Sequence, residues 1–419
     1  MRKIVFFFIS FWIGVICNGR AQEVALMEIP SLPCIHTEEG KALLKFPGSH
    51  DRYDSLYSLL DTLRLQKKGR VNILHVGGSH VQAGYFSHRM RSNLCSLGDS
   101  TYADRGLLFP FQAIHTNAPT SYTIASEGEW EGEKCLAREN FLPLGLSGAS
   151  ATTKDTLASL SIKLPSLDRW TAKSLRVLGE GSEGVTPYLL CAGDTLSPEE
   201  QDSLGYLFAL PEGDSICTMR FLGLGQEERY FSLRGILPIS DREGITYTES
   251  GINGASLPCW LRCNRWEEEL SLLPPHLAIL GVGINDANVW PQNFDVETFK
   301  EQYRMLIRRI QQVSPDCCLL FITNNDCWFN FRGRRKRLNT NTAKVEKAMT
   351  ELAEEMGGAV FDAYGIMGGY GSSNAWVRAH LQRPDHIHFT RAGYELWGDL
   401  LYNALMSDYM TSSKKKSTL

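Results

Sequence analysis

The sequence predicts an α/β protein in which a parallel β-sheet, covered by helices on both faces, is interrupted by an antiparallel β module. Three observations carry this. Short apolar runs bounded by Gly and Asn alternate with helix-like stretches near the start of the chain and again after residue 250. Between about residues 105 and 245, short strand-like runs recur with Gly, Pro and Asp between them. The chain has 419 residues, more than one small domain needs.

Taken in order, Arg2 and Lys3 precede an apolar run from Ile4 to Cys17, and Gly19 and Ala21 precede a cut before Gln22. This is the layout of a secretory signal peptide over residues 1–21. The run is shorter than the roughly 20 residues of a membrane span, and Ile16 is too bulky for lipoprotein processing at Cys17. No later stretch is long and apolar enough to cross a bilayer. The expectation is an exported protein, periplasmic or envelope-associated, with no membrane span after signal removal.

A leader rich in turn residues then leads to a strand at Val71–Val76, a Gly77-Gly78 turn and a helix from His80 to Leu97, so residues 22–104 hold the first part of the α/β domain. Thr156–Leu164, Ser174–Leu178, Tyr188–Cys191, Ile216–Leu222 and Arg229–Ile236 read as strands of an antiparallel β-sandwich inserted at 105–245. The second part, 246–408, reads as strand Leu277–Val282, helix Val296–Val313, strand Cys318–Thr323, helix Thr342–Met356, strand Ala359–Phe361 and helix Arg391–Met406. A polar tail at 409–419, with lysines in Ser412–Leu419, is expected to be disordered.

Composition excludes some classes. Hydrophobic residues at 43% and charged residues at 21% are ordinary for a soluble globular protein. A formal net charge of −4 gives no reason to expect nucleic acid as a partner. The eleven cysteines match no zinc pattern, and no metal or cofactor is implied. Several lie in apolar strand-like runs, so no disulfide is assigned. The oligomeric state is not legible.

The first chemical motif is His75-Val-Gly-Gly-Ser79-His-Val-Gln-Ala-Gly84. A serine just past a strand, at the mouth of a helix, presents its backbone N–H and the helix dipole to a bound anion. Alone, an ordinary helix-capping serine explains it better. The last motif changes that weighting. In Asp385-His386-Ile387-His388, an Asp three residues before a His folds back in a turn and holds one imidazole nitrogen, leaving the other for a serine. His386 is the local competitor, but adjacency to Asp385 gives it poor geometry. A surface loop or half a metal site is the alternative. Two further elements follow strands. Gly281-Val-Gly283-Ile-Asn285-Asp286 puts a side-chain amide at the carboxyl edge of the sheet, and Gly251-Ile-Asn-Gly254-Ala-Ser offers the Gly254 N–H. Each alone is as well read as a turn; four in order at strand ends point to acyl transfer.

Ser79, Gly254, Asn285 and His388 stand in the order and contexts of the four blocks that name the SGNH (GDSL) hydrolases, and Asp385 in the Asp-x-x-His of that family. The resemblance implies a flavodoxin-like three-layer α/β/α fold, Ser79 as nucleophile, His388 as general base and Asp385 as its orienting acid. It also implies an oxyanion hole of the Ser79 and Gly254 N–H groups with the Asn285 side chain. Over residues 70–405 the chain most resembles exported peptidoglycan O-acetylesterases, which carry a carbohydrate-binding-like β module between the serine and glycine blocks. Gly78–Gly84, Ser250–Trp260, Met367 through Trp376 to Asp385, and Leu142-Pro-Leu-Gly145 are the similar stretches. One departure stands out: Gly77-Gly78-Ser79 replaces the Gly-Asp-Ser of the family. The implied function is removal of O-acetyl groups from an acetylated glycan, foremost the muramic acid of peptidoglycan. The alternatives are an esterase for another acetylated polysaccharide and a glycan-binding protein whose catalysis is impaired.

Other features weigh less. Arg332, Arg334, Arg335, Lys336 and Arg337 form a basic cluster that would meet carboxylates of an anionic polymer, although a solvated charged loop explains it more simply. Trp130, Trp170, Tyr188 and Tyr230 could stack on sugars, but most aromatics in β modules are core. No substrate-binding residue is assigned.

Overall fold

In the computed structural model, residues 24–98, 102–163, 172–211, 216–331 and 337–418 are described. The signal segment, Trp170 and the 332–336 part of the basic cluster therefore lie outside the described residues.

A six-stranded, all-parallel sheet positions the site. Its strands are β1 (Arg70–Gly77), β2 (Tyr102–Arg105), β14 (Gly244–Gly251), β15 (Leu277–Gly281), β16 (Cys318–Ile322) and β17 (Ala359–Phe361), in the order β17-β16-β15-β1-β14-β2. Strands β15, β16 and β17 are near-continuous apolar runs, as burial on both faces requires. Leu74, Val76, Ala278, Leu280, Leu319 and Phe321 join one apolar cluster, whereas Val71, Ile73, Leu277, Ile279, Cys318 and Leu320 join another.

On the first face lie α4 (Leu257–Leu261), α5 (Trp266–Leu270), α6 (Val296–Val313) and α7 (Asn341–Met356). Helix α6 starts at Asp295, whose side chain accepts from the N–H groups of Glu297 and Thr298, and buries Phe299, Tyr303, Leu306, Ile307 and Ile310 at helical spacing. The second face carries α1 (Asp51–Gln66), α3 (Tyr85–Leu94), α8 (Ala363–Met367), α9 (Ser373–Arg378) and α10 (Arg391–Thr418).

Three elements differ from the sequence expectation. The turn-rich leader contains α1, which buries Tyr53, Leu56, Tyr57, Leu60 and Leu63. The single helix expected from His80 to Leu97 is split into α2 (Ser79–Gln82) and α3, because Gly84 takes φ +74 between them. The closing helix runs on to Thr418, through the tail expected to be disordered. No Gly or Pro interrupts residues 399–418.

The intervening residues form two antiparallel sheets. One runs β10 (Glu200–Asp202), β11 (Gly205–Ala209), β7 (Ser174–Gly181), β13 (Phe231–Ile239), β5 (Ala149–Thr153) and β4 (Glu131–Lys134). The other runs β3 (Thr123–Glu127), β6 (Ser159–Lys163), β12 (Ile216–Leu222), β8 (Thr186–Cys191) and β9 (Asp194–Leu196). Both send side chains, Val177 and Leu233 from one and Leu160 and Met219 from the other, into the apolar cluster that covers the first face of the parallel sheet. Cys191 and Cys217, partners across β8 and β12, form a disulfide that the sequence did not assign.

A buried ion pair fastens these sheets to the helices. Arg234 on β13 donates from Nε to Glu269 Oε1 on α5 at 2.7 Å, and both side chains are inaccessible to solvent. The Leu146 N–H donates to Glu269 Oε2 at 2.7 Å. Gly145 is required beside it, since a Cβ there would stand 1.8 Å from Oε2.

Candidate active site

The site is assembled by neighbouring strand ends. In the sheet, β1 lies between β14 and β15, and Gly77 pairs in register with Gly251 on one side and Gly281 on the other. This glycine row opens the carboxyl edge where the strand order reverses, the place where α/β sheets bind ligands. At two of the three, side chains are excluded by contact: a Cβ on Gly77 would meet Val81 Cγ2 at 2.4 Å, and one on Gly251 would meet the Gln82 backbone N at 2.6 Å. Ser79 therefore leaves β1 directly into α2, the Gly254 turn leaves β14, and Asn285 leaves β15.

Ser79, Gly254, Asn285 and His388 all line one open cleft of about 880 Å³. Ser79 Oγ is 2.9 Å from His388 Nε2, and His388 Nδ1 is 2.9 Å from Asp385 Oδ2. Asp385 Oδ1 accepts from the Ile387 and His388 N–H groups, both at 2.9 Å, which closes the Asp-x-x-His turn on itself. Partial burial raises the Asp385 pKa, but the contact with His388 and the two backbone donors outweigh it and hold the carboxyl below the usual range. His386 does not compete. It takes φ +61, stacks on Trp328 with ring centroids 4.1 Å apart, and its Nδ1 lies 2.8 Å from Ser373 Oγ.

Gly254 takes φ +82, and the Asn285 amide is aimed by donating from Nδ2 to Ala255 O at 2.8 Å. Gly78 faces that amide: a Cβ would stand 3.1 Å from Asn285 Nδ2. The position at which the resemblance expects aspartate thus looks onto Asn285, and the Ser79–His388 contact forms without it.

Several supporting residues were not singled out in the sequence. Buried Gln82 accepts the Asn253 N–H at 2.6 Å and donates to Asn117 O at 2.7 Å, tying α2 to the Gly254 turn and to the start of the β-rich segment. His80 Nδ1 lies 2.8 Å from the Tyr394 hydroxyl of α10, and burial, with the neighbouring His388, lowers its pKa to about 3, so it stays neutral. Asn325 donates from Nδ2 to Ile387 O at 3.3 Å beneath the His388 loop. Among the aromatics considered for sugar stacking, Trp130 is buried against Phe221 and donates to Glu127 O, a core role. Among the described residues no group of His, Cys, Asp and Glu is arranged to hold a metal.

Asp286, beside Asn285, accepts the Leu257 N–H on Oδ1 at 2.9 Å, while Oδ2 is buried without a hydrogen-bond partner. Burial pushes its carboxyl up to about 7. An unfolded chain releases this proton near pH 4. Between those values the folded state holds a proton that the unfolded state lacks, so stability falls as pH rises towards 7 and levels off above it, on the order of 1 kcal/mol per pH unit. Melting curves from pH 5 to 8 should show this fall, and Asp286→Asn, which keeps the Oδ1 acceptor, should flatten it. Parallel curves for the two proteins would refute the assignment.

Parts of the sequence and the fold are shared with known proteins. Residues 213–396 match the GDSL-like lipase/acylhydrolase family. That span holds Gly254, Asn285, Asp385 and His388, while Ser79 lies ahead of it, across the β-rich segment. The match gives the class: residues 213–396 are similar to the GDSL-like acylhydrolases, which supports a carboxylic ester hydrolase. A solved peptidoglycan O-acetylesterase shares its fold at TM-score 0.66 and 21% identity, over 88% of this chain and 99% of that one. An acetyl xylan esterase aligns over 40% of this chain and 83% of its own at 18% identity and TM-score 0.31. A lipase/acylhydrolase from Enterococcus faecalis aligns over 40% and 78% at 23% identity and TM-score 0.31. No curated protein sequence matches the chain. Among the described residues, no helix is long and apolar enough to cross a membrane.

Proposed function

We propose that this chain is a serine esterase that removes O-acetyl groups from the muramic acid of peptidoglycan through an acetyl-enzyme on Ser79. The relay from Ser79 through His388 to Asp385, with both contacts at 2.9 Å, carries the reading. Ser79 Oγ attacks the acetyl carbonyl carbon as His388 Nε2 takes its proton, and the oxyanion accepts from the Ser79 N–H, the Gly254 N–H and Asn285 Nδ2. The bond to the sugar oxygen breaks, and His388 returns the proton to the leaving alcohol. Water then attacks the acetyl-enzyme, giving its proton to His388; acetate departs and Ser79 recovers its proton. Asp385 holds Nδ1–H throughout and offsets the charge of the imidazolium. These steps call for no cofactor.

The fold shared with a peptidoglycan O-acetylesterase over 99% of that chain supports the substrate, as does an open cleft of about 880 Å³. On this reading residues 1–21 export the protein to the periplasm or envelope. Residues 22–104 and 246–408 form a flavodoxin-like three-layer domain, and 105–245 a β-sandwich that holds the acetylated glycan.

Acetate release from O-acetylated peptidoglycan and from acetylated xylan, measured side by side, tests the substrate. Peptidoglycan should be the better substrate. Deacetylation of xylan alone would move the assignment to another acetylated polysaccharide. Inertness towards both glycans and an aryl acetate would favour a glycan-binding protein impaired at Gly78.

A further inference from the structure

The cleft carries a charge that attack on a neutral acetyl ester does not use. Its described lining includes Arg383 and Arg391 and no aspartate or glutamate, although the chain as a whole has a formal net charge of −4. The two arginines differ. Arg391 donates from Nε to Glu395 Oε1 at 2.8 Å and sits over the Tyr85 ring, so its charge is answered. Arg383 is exposed and has no carboxylate within ion-pair distance among the described residues. Asp385 is close in sequence, but its oxygens are taken by His388 Nδ1 and by the Ile387 and His388 N–H groups.

The Arg383 backbone is held at the base. Its N–H donates to His388 O at 2.7 Å, its carbonyl accepts from the His386 N–H at 2.9 Å, and Gln382 bridges Phe389. Across the cleft wall, burial and the Asp385 charge raise the pKa of the Tyr394 hydroxyl, while the Phe389 backbone contact and, less strongly, the Arg383 charge lower it. The side-chain amides of Asn117, Asn253, Asn288 and Asn330 on the same lining are available for neutral sugar hydroxyls.

We propose that Arg383 is the anion-recognising residue of this cleft, pairing with a carboxylate on the alcohol side of the ester substrate. The inference rests on the esterase reading above. The acyl group is only an acetyl, so any substrate charge belongs to the alcohol half, and a guanidinium fork fits a carboxylate in two-pronged fashion. The alcohol leaves before water attacks, so the pair assists formation of the acetyl-enzyme and not its hydrolysis.

The test compares 4-acetoxybenzoate with its methyl ester, which present the same acetyl group on charged and neutral alcohols. Intrinsic reactivities cancel when the ratio of kcat/KM values is compared between proteins. Arg383→Gln should lower the charged-to-neutral ratio about fivefold, Arg383→Lys should restore part of it, and added salt should lower the wild-type ratio more than that of Arg383→Gln. Equal ratios in wild type and Arg383→Gln would overturn the anion site while leaving the esterase reading intact. Failure of the wild type to hydrolyse either ester would overturn the esterase reading, and this inference with it.

Discussion

Replacing Ser79 by alanine should abolish ester hydrolysis, lowering kcat by on the order of 10⁴-fold or more, with little change in melting temperature. The size follows from the role proposed for the residue. Without Oγ the His388–Asp385 pair has nothing to activate, and what remains is binding plus oxyanion stabilisation, which in serine hydrolases retain only a small residue of the rate. Stability should hold because Ser79 Oγ contacts His388 at the edge of an open cleft, and the turn is built by backbone bonds, from the Val81 and Gln82 N–H groups to Gly78 O. Hydrolysis of an aryl acetate and a thermal melt on the same preparations check both halves. A Ser79→Ala protein that hydrolyses at more than about a hundredth of the wild-type rate would remove Ser79 from the mechanism.

The largest expected effect on stability is elsewhere. Arg234→Met should destabilise the fold by about 3–5 kcal/mol, because it strands the carboxylate of Glu269, whose side chain is 0% exposed. Burial already raises the Glu269 pKa, with Arg234 the main opposing charge. The Leu146 N–H cannot replace a guanidinium that also donates to Leu204 O. By contrast the Arg265–Glu268 pair, 30% and 48% exposed, should be worth less than about 1 kcal/mol. Chemical denaturation of both variants makes the comparison, and Arg234→Met with Glu269→Leu together should recover much of the loss by removing the stranded charge. An Arg234→Met protein as stable as the Arg265→Met one would mean that the pair does not fasten the β-rich segment to α5.

Much of this was legible because the elements concerned announce themselves locally. Helix α6 has the ends expected of it, Val296 and Val313, since its apolar residues keep helical spacing after a capping Asp295. The short strand Ala359–Phe361 is also where its apolar run puts it. Helix α1 was hidden because its buried positions are interleaved with Asp, Ser, Thr and Arg, and two of them are tyrosines. Gly84 broke an apparently continuous helix through a φ value that sequence periodicity does not report.

The same division holds at the cleft. Ser79, Gly254 and Asn285 sit in glycine-marked turns after strands, and Asp385 and His388 share one turn, so neighbouring residues disclose each of them. Gln82 and His80 act through partners 171 and 314 residues away, Asn253 and Tyr394, and nothing near them in sequence names those partners. The disulfide between Cys191 and Cys217 was illegible for the same reason: it depends on which strands become neighbours. The charge of the cleft is likewise a property of the assembled surface, opposite in sign to the composition.

The central claim is that an acetyl group passes from peptidoglycan to water by way of Ser79. It is tested most directly by acid-quenching the protein during turnover of O-acetylated peptidoglycan and mapping acetylated peptides by mass spectrometry, with acetate measured in parallel. The predicted result is acetate release with one acetyl group on the peptide that contains Ser79, and neither signal in Ser79→Ala. Acetate release that survives in Ser79→Ala, or an acetyl group mapped to a different residue, would contradict it.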